Sequence, residues 1–492
     1  MFFDFTDVLG DLVCEIRGDI NGQYSQVTRD SRNVEANSIF VAVKGVSFDG
    51  HDFIDQALLS GAKAIVAEKL PDGAQGVVVS DSAAADALLQ RHFYGTPDRD
   101  LSLFGVTGTN GKTTSVYILE HILNLCDVPC GLLSTIEFRT GGDRGKSNCT
   151  TPDAATLYRS FAEMRGNFLK AAAFELSSHA LCQKRAFGLN LRGAILTNIT
   201  RDHLDYHGSA ENYFLAKKIC FTKLLDPESG TAVINVDDAG GERMARELAG
   251  FCRVITFGSV PEAEWKISDI QSNLEETTFK LQNYQNEYWV KTSLFGKHNI
   301  ENLTGAILLA FDYGIAPEKV LAAVADPIRI PGRLERYIDS DGVVYFVDYA
   351  HTPDALDRVL GTLKKDVPGK LIAVFGAGGD RDRGKRSEMG RAAAKHADKL
   401  IITSDNPRSE EPLDIINDIV SGLPSYASYR IEPDRREAIR SAINDARKGD
   451  VVLISGKGHE DYQEIKGVSS HFSDAVELGR LLEELKRRTL IN

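Results

Sequence analysis

The chain has 492 residues, of which 70 are Asp or Glu and 57 are Lys or Arg, so its formal net charge is −13. Hydrophobic residues make up 42% and charged residues 26%, a balance that excludes disordered and fibrous proteins. The acidic excess argues against a generic nucleic-acid or anionic-membrane binder, so a site for an anionic ligand must be built locally. At roughly 150 residues per domain, the length predicts about three domains.

The N-terminus and the cysteines indicate the cellular compartment. The segment Met1-Phe-Phe-Asp-Phe-Thr-Asp7 carries acids where a signal peptide needs Lys or Arg, and no apolar run approaches the ~18 residues of a membrane helix. We therefore expect a cytoplasmic protein without membrane insertion. Among the seven cysteines, Cys126 and Cys130 have no second pair at zinc-site spacing, so we expect reduced and mostly buried thiols.

Residues 1–98 form the first region. Short strand-like runs such as 38–44 accompany a helical stretch over 55–60, which predicts a small α/β unit.

Residues 99–330 form the second region, where apolar runs alternate with helical periodicity. The pattern predicts a mostly parallel sheet with strands at 101–106, 171–176, 193–198, 232–236 and 254–258 and a first helix at 113–125. Period-2 alternation over about 265–294 predicts an antiparallel insert. Helices at 300–313 and 317–325 lead to a linker at Ile330-Pro-Gly332.

Residues 331–492 form the third region, which alternates again. Strands are predicted at 343–347, 370–375, 399–403 and 451–455, with helices at 353–363, 385–397 and 413–423, as in a doubly wound, Rossmann-like domain. Its Gly376-Ala-Gly-Gly-Asp380 lacks the G-x-G-x-x-G spacing and runs into a charged loop, which disfavours nicotinamide binding. The fold class is therefore α/β in three domains.

The segment Gly105-Val-Thr-Gly-Thr-Asn-Gly-Lys-Thr-Thr114 lies between a predicted strand and a predicted helix and is a phosphate-binding loop. Val106 stands where the strict Walker pattern has glycine, so the match is to a variant. We expect Lys112 to reach the β- and γ-phosphates and the Thr113 hydroxyl to bind Mg²⁺. The expected ATP contacts are Gly108, Thr109, Asn110, Gly111, Lys112, Thr113 and Thr114.

Carboxylate and imidazole groups follow the next strands of the predicted sheet. Glu175 ends one strand, and Asp202 and His203 follow another, which brings them to the edge where ligands collect in parallel sheets. Glu175 is a natural Mg²⁺ ligand. His203 is a further candidate ligand, with an orienting or core role as the alternative, and His207 is expected to be structural.

These motifs together resemble the Mur ligases, the ATP-dependent enzymes that build the peptide stem of bacterial peptidoglycan, and the resemblance spans nearly the whole chain. It is closest to the members that add the third residue of the stem. The resemblance implies a uridine-nucleotide-binding domain at 1–98, an ATP-binding domain at 99–330 and an amino-acid-binding ligase domain at 331–492.

The implied reaction joins meso-2,6-diaminopimelate to the D-glutamate γ-carboxylate of UDP-N-acetylmuramoyl-L-Ala-D-Glu through an acyl phosphate. ATP is the co-substrate and Mg²⁺ the cofactor, and no nucleic-acid partner is implied. The chain is expected to act as a monomer.

For the UDP substrate, the resemblance implies contacts in three segments. Asp30-Ser-Arg32 resembles the uridine-nucleotide segment, although Ala36-Asn-Ser38 stands where the family has a glycine. Arg185 also has a physical reason, because a guanidinium binds diphosphate or carboxylate groups bidentately. The implied contacts are Ser31, Thr150, Thr151, Ser177, Gln183 and Arg185.

Lys217 matches the lysine that these ligases carboxylate to a carbamate, which ligates a second Mg²⁺. Carbon dioxide reacts with a neutral amine, so the site must lower this lysine's pKa from about 10.4. The neighbouring Lys218 leaves the register open. The implied metal ligands are Thr113, Glu175, His203 and carbamylated Lys217, and the implied catalytic residues are Lys112, Lys217 and His203.

Further contacts are implied in the last part of the chain. His298, Asn299, Arg333 and Asp348 match the family's remaining ATP contacts. Asp405-Asn-Pro-Arg408 resembles the motif of ligases that add diaminopimelate rather than L-lysine, because Arg408 can hold the distal carboxylate that lysine lacks. The implied diaminopimelate contacts are Arg381, Asp405, Asn406, Pro407, Arg408, Gly456 and Glu460.

Two other interpretations remain open. A folylpolyglutamate synthase would share the phosphate loop and the carbamate region, but would not need residues 30–32 or 405–408. A P-loop switch or regulatory ATPase would hydrolyse ATP without joining a carboxylate to an amine. The general base for the attacking amine is not assigned, and Asp202 and His203 are nearby candidates.

Overall fold

The computed structural model describes residues 1–45 and 48–491. The first part of the chain folds around a five-stranded sheet in the order β2-β7-β6-β5-β4, parallel except for β2. Its elements are β1 (Phe2–Phe3), α1 (Phe5–Leu9), β2 (Val13–Arg17), β3 (Gly22–Gln23), β4 (Gln26–Thr28), β5 (Ser38–Val41), α2 (Ile54–Leu59), β6 (Ala62–Ala67), β7 (Gly76–Val79) and α3 (Ser82–Phe93). The predicted strand 38–44 ends at Val41, because the chain turns back after it through a bridge between Lys44 and Asp49.

The second part contains an eleven-stranded sheet in the order β11-β10-β9-β12-β8-β13-β14-β15-β16-β17-β18. Its elements are β8 (Ser102–Thr107), α4 (Lys112–Leu125), β9 (Cys130–Leu133), β10 (Glu137–Arg139), β11 (Arg144–Lys146), α5 (Ala154–Gly166), β12 (Ala171–Glu175), α6 (Ser178–Cys182), β13 (Leu191–Leu196), α7 (Leu204–His207), α8 (Ala210–Lys223), β14 (Thr231–Asn235), α9 (Ala239–Leu248), β15 (Arg253–Gly258), β16 (Trp265–Ser272), β17 (Thr277–Gln282), β18 (Glu287–Thr292), α10 (Lys297–Asp312) and α11 (Pro317–Ala325).

In sheet order the run β9-β12-β8-β13-β14-β15-β16 is parallel, and for β8, β12, β13, β14 and β15 this agrees with the predicted mostly parallel sheet. β16 lies in the segment 265–294 predicted to be antiparallel, but it pairs with β15 in parallel register. β8 and β12 are almost entirely buried, because helices cover both faces of such a sheet. β17 alternates buried and half-buried residues, in agreement with the predicted period-2 insert. β17 and β18 are neighbours in the sheet, and ion pairs Lys280–Glu287 (3.0 Å) and Lys291–Glu276 (2.5 Å) link the two segments.

The third part contains a six-stranded sheet in the order β19-β20-β24-β21-β22-β23, parallel except for β19. Its elements are β19 (Glu335–Ile338), β20 (Val344–Asp348), α12 (Pro353–Lys364), β21 (Leu371–Phe375), α13 (Gly384–Ala394), β22 (Lys399–Ile402), α14 (Pro412–Val420), β23 (Tyr429–Ile431), α15 (Arg435–Asp445), β24 (Val451–Ser455), β25 (Tyr462–Ile465), β26 (Val468–His471) and α16 (Asp474–Ile491). The doubly wound prediction is confirmed.

The chain divides into two compact units. The first comprises Met1–Ser268, Lys280–Val290 and Glu301–Ala325, and the second comprises Asp269–Phe279, Lys291–Ile300 and Asp326–Asn492. The first unit therefore holds the phosphate loop, and the second holds the sheet that carries the Asp405–Arg408 motif. The predicted boundaries at 98 and 330 remain predictions.

Two expectations about the surface can be compared with the structure. Among the described residues, no helix is long and apolar enough to cross a membrane. The expectation of mostly buried thiols is wrong, because Cys14, Cys149 and Cys182 are exposed while Cys126, Cys130 and Cys220 are buried. Cys14 lies on the edge strand β2, Cys149 in the loop before α5 and Cys182 at the end of the short helix α6.

The second unit has a fully buried ion pair that joins two helices. Arg435, the first residue of α15, lies 2.7 Å from Asp474, the first residue of α16, and neither side chain is exposed. We expect Asp474→Asn to lower the free energy of unfolding by about 3–5 kcal/mol, because it leaves the guanidinium buried without its counter-ion. Calorimetric or urea unfolding measures the loss. The control is the adjacent, more exposed Arg436–Glu477 pair, in which Glu477→Gln should lower the free energy of unfolding by about 1 kcal/mol or less. Equal losses of stability in Asp474→Asn and Glu477→Gln would contradict the prediction.

Candidate active site

The phosphate loop connects β8 to α4 and owes its shape to two glycines. Gly108 has φ 151° and Gly111 has φ 88°, and Gly111 caps the 14-residue helix α4. A Cβ on Gly108 would lie 1.9 Å from the Thr197 hydroxyl, and one on Gly111 would lie 2.2 Å from the Asn302 side-chain oxygen. Glycine is therefore required at both positions, and the helix N-terminus provides N–H groups for an anion.

The two residues that follow the neighbouring strand β13 hold this loop in place. The Thr197 hydroxyl donates to the Asn110 carbonyl (2.6 Å), and the Asn198 side chain accepts from the Asn110 N–H (3.0 Å). Lys112 Nζ donates to the carbonyls of Gly108 and Thr109, both at 2.9 Å. The side chain of Lys112, which is predicted to contact phosphate, therefore lies against the phosphate loop itself.

Glu175 is buried at the end of β12 and lies beside the start of α4. Its Oε1 accepts from the Thr113 hydroxyl (2.9 Å) and from the Thr135 N–H (2.7 Å). The structure thus brings together two of the predicted Mg²⁺ ligands, Thr113 and Glu175. Thr114 follows them, buried in the first turn of α4.

Lys217 lies on α8 and is 1% exposed. Its Nζ donates to the Gly108 carbonyl (2.7 Å) and lies 4.5 Å from the centre of the Tyr213 ring. Burial, reinforced by the positive charge of Lys112, holds the pKa of Lys217 well below its usual range. Lys218 instead pairs with Glu247 at 2.8 Å, so the structure places Lys217 and not Lys218 at the phosphate loop.

His203 lies in a cluster of aromatic rings near the start of α7. Its ring centre is 4.8 Å from that of His179, and its Nε2 is 3.5 Å from Asp202 Oδ2. Its backbone adopts a left-handed conformation with φ 50°. The described residues show no direct contact of His203 with Glu175 or Thr113. His207 donates or accepts at the buried Ser178 hydroxyl (3.0 Å), in keeping with its expected structural role.

The predicted substrate contacts of the central region gather beside Glu175. The Thr151 hydroxyl donates to the Glu175 carbonyl (2.8 Å) and accepts from the Ser177 N–H (3.0 Å). Arg185 donates to the Thr151 carbonyl and to the Gln183 side chain, both at 2.6 Å. Thr150 accepts from the Thr135 hydroxyl at 3.1 Å, which joins this group to the Glu175 cluster.

Ser31 lies in the first sheet region, on the short 3₁₀ turn Ser31–Asn33 that Asp30 caps. Its hydroxyl donates to the Gln56 side chain at 3.2 Å. Within the first unit, Arg29 pairs with Asp153 at 3.1 Å and so connects this segment to the start of α5. Ser31 makes no direct contact with the Thr151 group among the described residues.

In the second unit, the remaining predicted ATP contacts surround the ends of α10 and β20. Burial, with Arg358 nearby, lowers the pKa of His298 to about 4, and Asn299 donates to the Phe295 carbonyl (2.9 Å). Asp348 accepts from the backbone N–H groups of Leu334 (2.7 Å) and Ala350 (2.8 Å).

Arg333 lies over the ring of Tyr349, with 4.9 Å between its guanidinium carbon and the ring centre. Burial raises the pKa of Asp348, although Arg333 acts in the opposite direction. The structure thus places Arg333 and Asp348 near each other, and their assignment as ATP contacts remains a prediction.

The Asp405–Arg408 motif follows β22. Asp405, Asn406 and Pro407 are buried, and the Asn406 side chain donates to Glu460 at 3.1 Å. A Cβ on Gly456 would lie 3.2 Å from Asp405 Oδ2, so the loop after β24 packs directly against this motif. The predicted contacts Asp405, Asn406, Gly456 and Glu460 thus form one cluster.

Arg408 is held by both its backbone and its side chain. Its Nη1 donates to the Gly379 carbonyl (2.7 Å), and its left-handed backbone (φ 53°) bonds to Glu464 O and Lys466 N–H of the β25–β26 hairpin. Arg381 is exposed, and a Cβ on Gly378 would lie 3.0 Å from Arg408 Nη1 and 3.6 Å from Arg381 Cγ. The side chains of the two predicted arginines therefore start beside the same glycine.

Some residues of these clusters are absent from the sequence-based assignment. Lys457 is fully buried between Asp405 and Asn406, and Arg435 is buried behind them. Thr135 contacts Glu175, and Asn302 lies against Gly111. Lys457 lies within the Gly456–Glu460 segment already singled out, which is the one sequence signal that points to any of them.

Comparison with known proteins agrees with this geometry. Three family profiles match in series: "Mur ligase family, catalytic domain" at 23–91, "Mur ligase middle domain" at 106–310 and "Mur ligase, glutamate ligase domain" at 332–458. The UDP-N-acetylmuramoyl-L-alanyl-D-glutamate--2,6-diaminopimelate ligase of Aquifex aeolicus (strain VF5) is 41% identical over 457 residues, 93% of each chain. The chain belongs to the Mur ligase family.

The solved structures confirm the architecture of this Mur ligase. A structure of a UDP-N-acetylmuramoyl-L-alanyl-D-glutamate--2,6-diaminopimelate ligase superimposes with a TM-score of 0.76, at 34% identity, and covers 99% of this chain and 100% of the other. The three-domain α/β fold class is thereby confirmed. A Mycobacterium tuberculosis folylpolyglutamate synthase covers 76% of this chain and 92% of its own, with a TM-score of 0.59 at 18% identity, and shares the fold alone.

Proposed function

We propose that this Mur ligase joins meso-2,6-diaminopimelate to the D-glutamate γ-carboxylate of UDP-N-acetylmuramoyl-L-Ala-D-Glu, with ATP as the energy source, in peptidoglycan synthesis. The observation that carries the assignment of the amino acid is the Asp405–Arg408 cluster. It offers the Arg408 guanidinium, with the Arg381 side chain near the same glycine, for carboxylates, and the acids Asp405 and Glu460 for an ammonium group. A diamino dicarboxylic acid offers both kinds of group.

In the first step, the γ-carboxylate oxygen of the substrate attacks the γ-phosphorus of ATP. The bond from that phosphorus to the β,γ-bridging oxygen breaks, so ADP leaves and an acyl phosphate forms. The loop N–H groups and Lys112 stabilise the negative charge of the transferred group. Arg185, Thr151 and Ser177 form one hydrogen-bonded group beside Glu175, which supports their assignment to the bound dipeptide. Ser31 and Gln183 complete the proposed contacts to the UDP substrate.

Mg²⁺ fits the residues around Glu175, because a buried carboxylate and a hydroxyl are the oxygen donors that a hard cation prefers. Thr113 and Glu175 would hold the ion, and His203 and a carbamylated Lys217 are further proposed ligands. When bound, Mg²⁺ neutralises charge on the phosphate oxygens.

Lys217 is suited to carbamylation because it is buried and its pKa is lowered well below the usual range. Its neutral amine attacks the carbon of CO₂, and the nitrogen releases one proton as the anionic carbamate forms. We expect Lys217→Arg to lower kcat by about 10²-fold or more and to abolish the carbamate signal that isotopically labelled bicarbonate gives in NMR. Lys218→Ala is the matched control, and a carbamate signal that persists in Lys217→Arg would contradict the assignment.

In the second step, the amine of diaminopimelate attacks the acyl carbon, and the tetrahedral intermediate collapses to the amide and inorganic phosphate. Arg408 and Arg381 are proposed to bind the carboxylates, with Pro407 and Gly456 shaping the cleft. ATP and a UDP-linked substrate place this reaction in the cytoplasm. His298, Asn299, Arg333 and Asp348 remain proposed ATP contacts.

The test measures phosphate release from ATP with UDP-N-acetylmuramoyl-L-Ala-D-Glu present, adding meso-diaminopimelate to one reaction and L-lysine to another. Release confined to the first, with a tripeptide product identified by mass, is the expected result. Equal activity with L-lysine would leave the ligase assignment in place but would contradict the proposed role of Arg408 in specificity. ATP hydrolysis independent of any amine would favour a switch ATPase instead.

A further inference from the structure

Lys457 is a fully buried lysine on the loop that follows β24. Its Nζ donates to Asn406 Oδ1 (2.9 Å) and to the Tyr462 carbonyl (2.8 Å), and lies 3.2 Å from Asp405 Oδ1. An ammonium group has three N–H bonds, so these three neighbours account for all of its donors. Lys457 therefore acts on the protein around it and does not contact the substrate.

The first consequence concerns the orientation of the Asn406 amide. Its Oδ1 accepts from both Lys457 and the Glu464 N–H (3.1 Å), which leaves the Nδ2 group directed to Glu460 (3.1 Å). A reversed amide would set its NH₂ group against two donors and lose both bonds. Lys457 thus fixes which face of Asn406 meets the neighbouring acid.

The second consequence concerns charge. Asp405, Glu460 and Asp474 are the carboxylates of this buried cluster, and Lys457 and Arg435 are its cations. Asp405 is only 7% exposed, and its Oδ1 lies 3.2 Å from Lys457 Nζ as an ion pair. With three carboxylates against two cations, the cluster carries one more negative than positive charge.

The pKa shifts of the two groups begin with burial. Burial raises the pKa of Glu460, and the negative charge of Asp405 adds to the effect. Burial lowers the pKa of Lys457, while Asp405 acts in the opposite direction. An ammonium group of a ligand beside Glu460 would favour the charged form of that carboxyl.

We propose that Lys457 is a positioning residue, the internal counter-ion that holds Asp405, Asn406 and Glu460 in the arrangement that receives one ammonium group of the amino-acid substrate. This inference rests on the proposed function, because it presumes that the cluster binds that substrate. It assigns to Lys457 a role in amino-acid affinity that is separate from phosphate transfer.

The test compares the full-length wild type with Lys457→Met, which keeps the length of the side chain and removes its charge and donors. Tripeptide formation is measured while one of the three substrates is varied and the others saturate. We expect the KM for meso-diaminopimelate to rise about ten- to hundredfold, with the KM values for ATP and the UDP substrate within about twofold of wild type. The control is Lys395→Met, because Lys395 is an exposed lysine of the same unit paired with Asp357.

A diaminopimelate KM that stays within about twofold of wild type overturns the inference, as does an equal rise in all three KM values, which would indicate general damage. If Lys457→Met does not fold, Lys457→Gln is judged by the same criteria, since it retains an amide donor without the charge. A wild-type enzyme that forms no product with diaminopimelate would refute the proposed function itself. Active wild type with unaffected variants would refute only the role of Lys457.

Discussion

Replacing Lys112 with alanine is expected to lower substrate-dependent phosphate release by about 10²–10³-fold or more. Lys112 begins α4, and its ammonium group already lies within 2.9 Å of two carbonyls of the phosphate loop. The transferred phosphoryl group gains negative charge that this ammonium stabilises, so the loss should affect kcat more than the KM for either substrate. Steady-state phosphate release measures it.

Lys170→Ala is a suitable control for Lys112→Ala, because Lys170 is exposed in the same unit at the start of β12. Its kcat should equal that of wild type. Thermal unfolding of Lys112→Ala should match wild type, which excludes a folding defect as the cause. Retained ligation by a folded Lys112→Ala enzyme would refute the ATP-binding assignment.

The second large effect is expected at Arg408. Arg408→Ala removes a charged donor that is proposed to bind the distal carboxylate, and each such hydrogen bond contributes about 1.5–3 kcal/mol. We therefore expect kcat/KM for meso-diaminopimelate to fall at least about tenfold, with little change for L-lysine, which lacks that carboxylate. The ratio of the two kcat/KM values is the decisive measurement, because a general defect would lower both.

Arg408→Lys refines this prediction. It keeps the positive charge but replaces the two-pronged guanidinium with a single ammonium, so its selectivity should lie between those of wild type and Arg408→Ala. Arg430→Ala, on the edge strand β23, is the matched control. An unchanged preference in Arg408→Ala would remove this residue from the specificity site.

The predicted and observed folds agree where strands are buried. β8, β12 and β13 lie in apolar runs next to turn signals, and the sequence predicts each within two residues or so. The hairpins β10–β11 and β25–β26 are not predicted, because their short strands are rich in charged and polar residues and contain no apolar run. In β10–β11, Glu137 pairs with Arg144 of the facing strand at 2.5 Å and with Arg139 of its own strand at 2.6 Å.

The residues of the candidate site also differ in how well the sequence predicts them. The phosphate loop is local in sequence, so a glycine pattern and one lysine suffice to predict it. Lys457 bonds to Asn406 across 51 residues, and Arg435 bonds to Asp474 across 39. A buried charge with a distant partner looks like an ordinary surface residue in a sequence, so only the fold identifies these two.

The left-handed backbone at Arg408 restricts how this ligase can evolve. Because the β25–β26 hairpin holds the main chain there through bonds to Glu464 and Lys466, exchanging the side chain at 408 need not move the loop. Glycine and asparagine accept this conformation readily, whereas a β-branched side chain adds strain of about 1–3 kcal/mol. Descendants of this chain that acquire another amino-acid preference should therefore draw on a short set of replacements at this position, with valine, isoleucine and threonine absent from it.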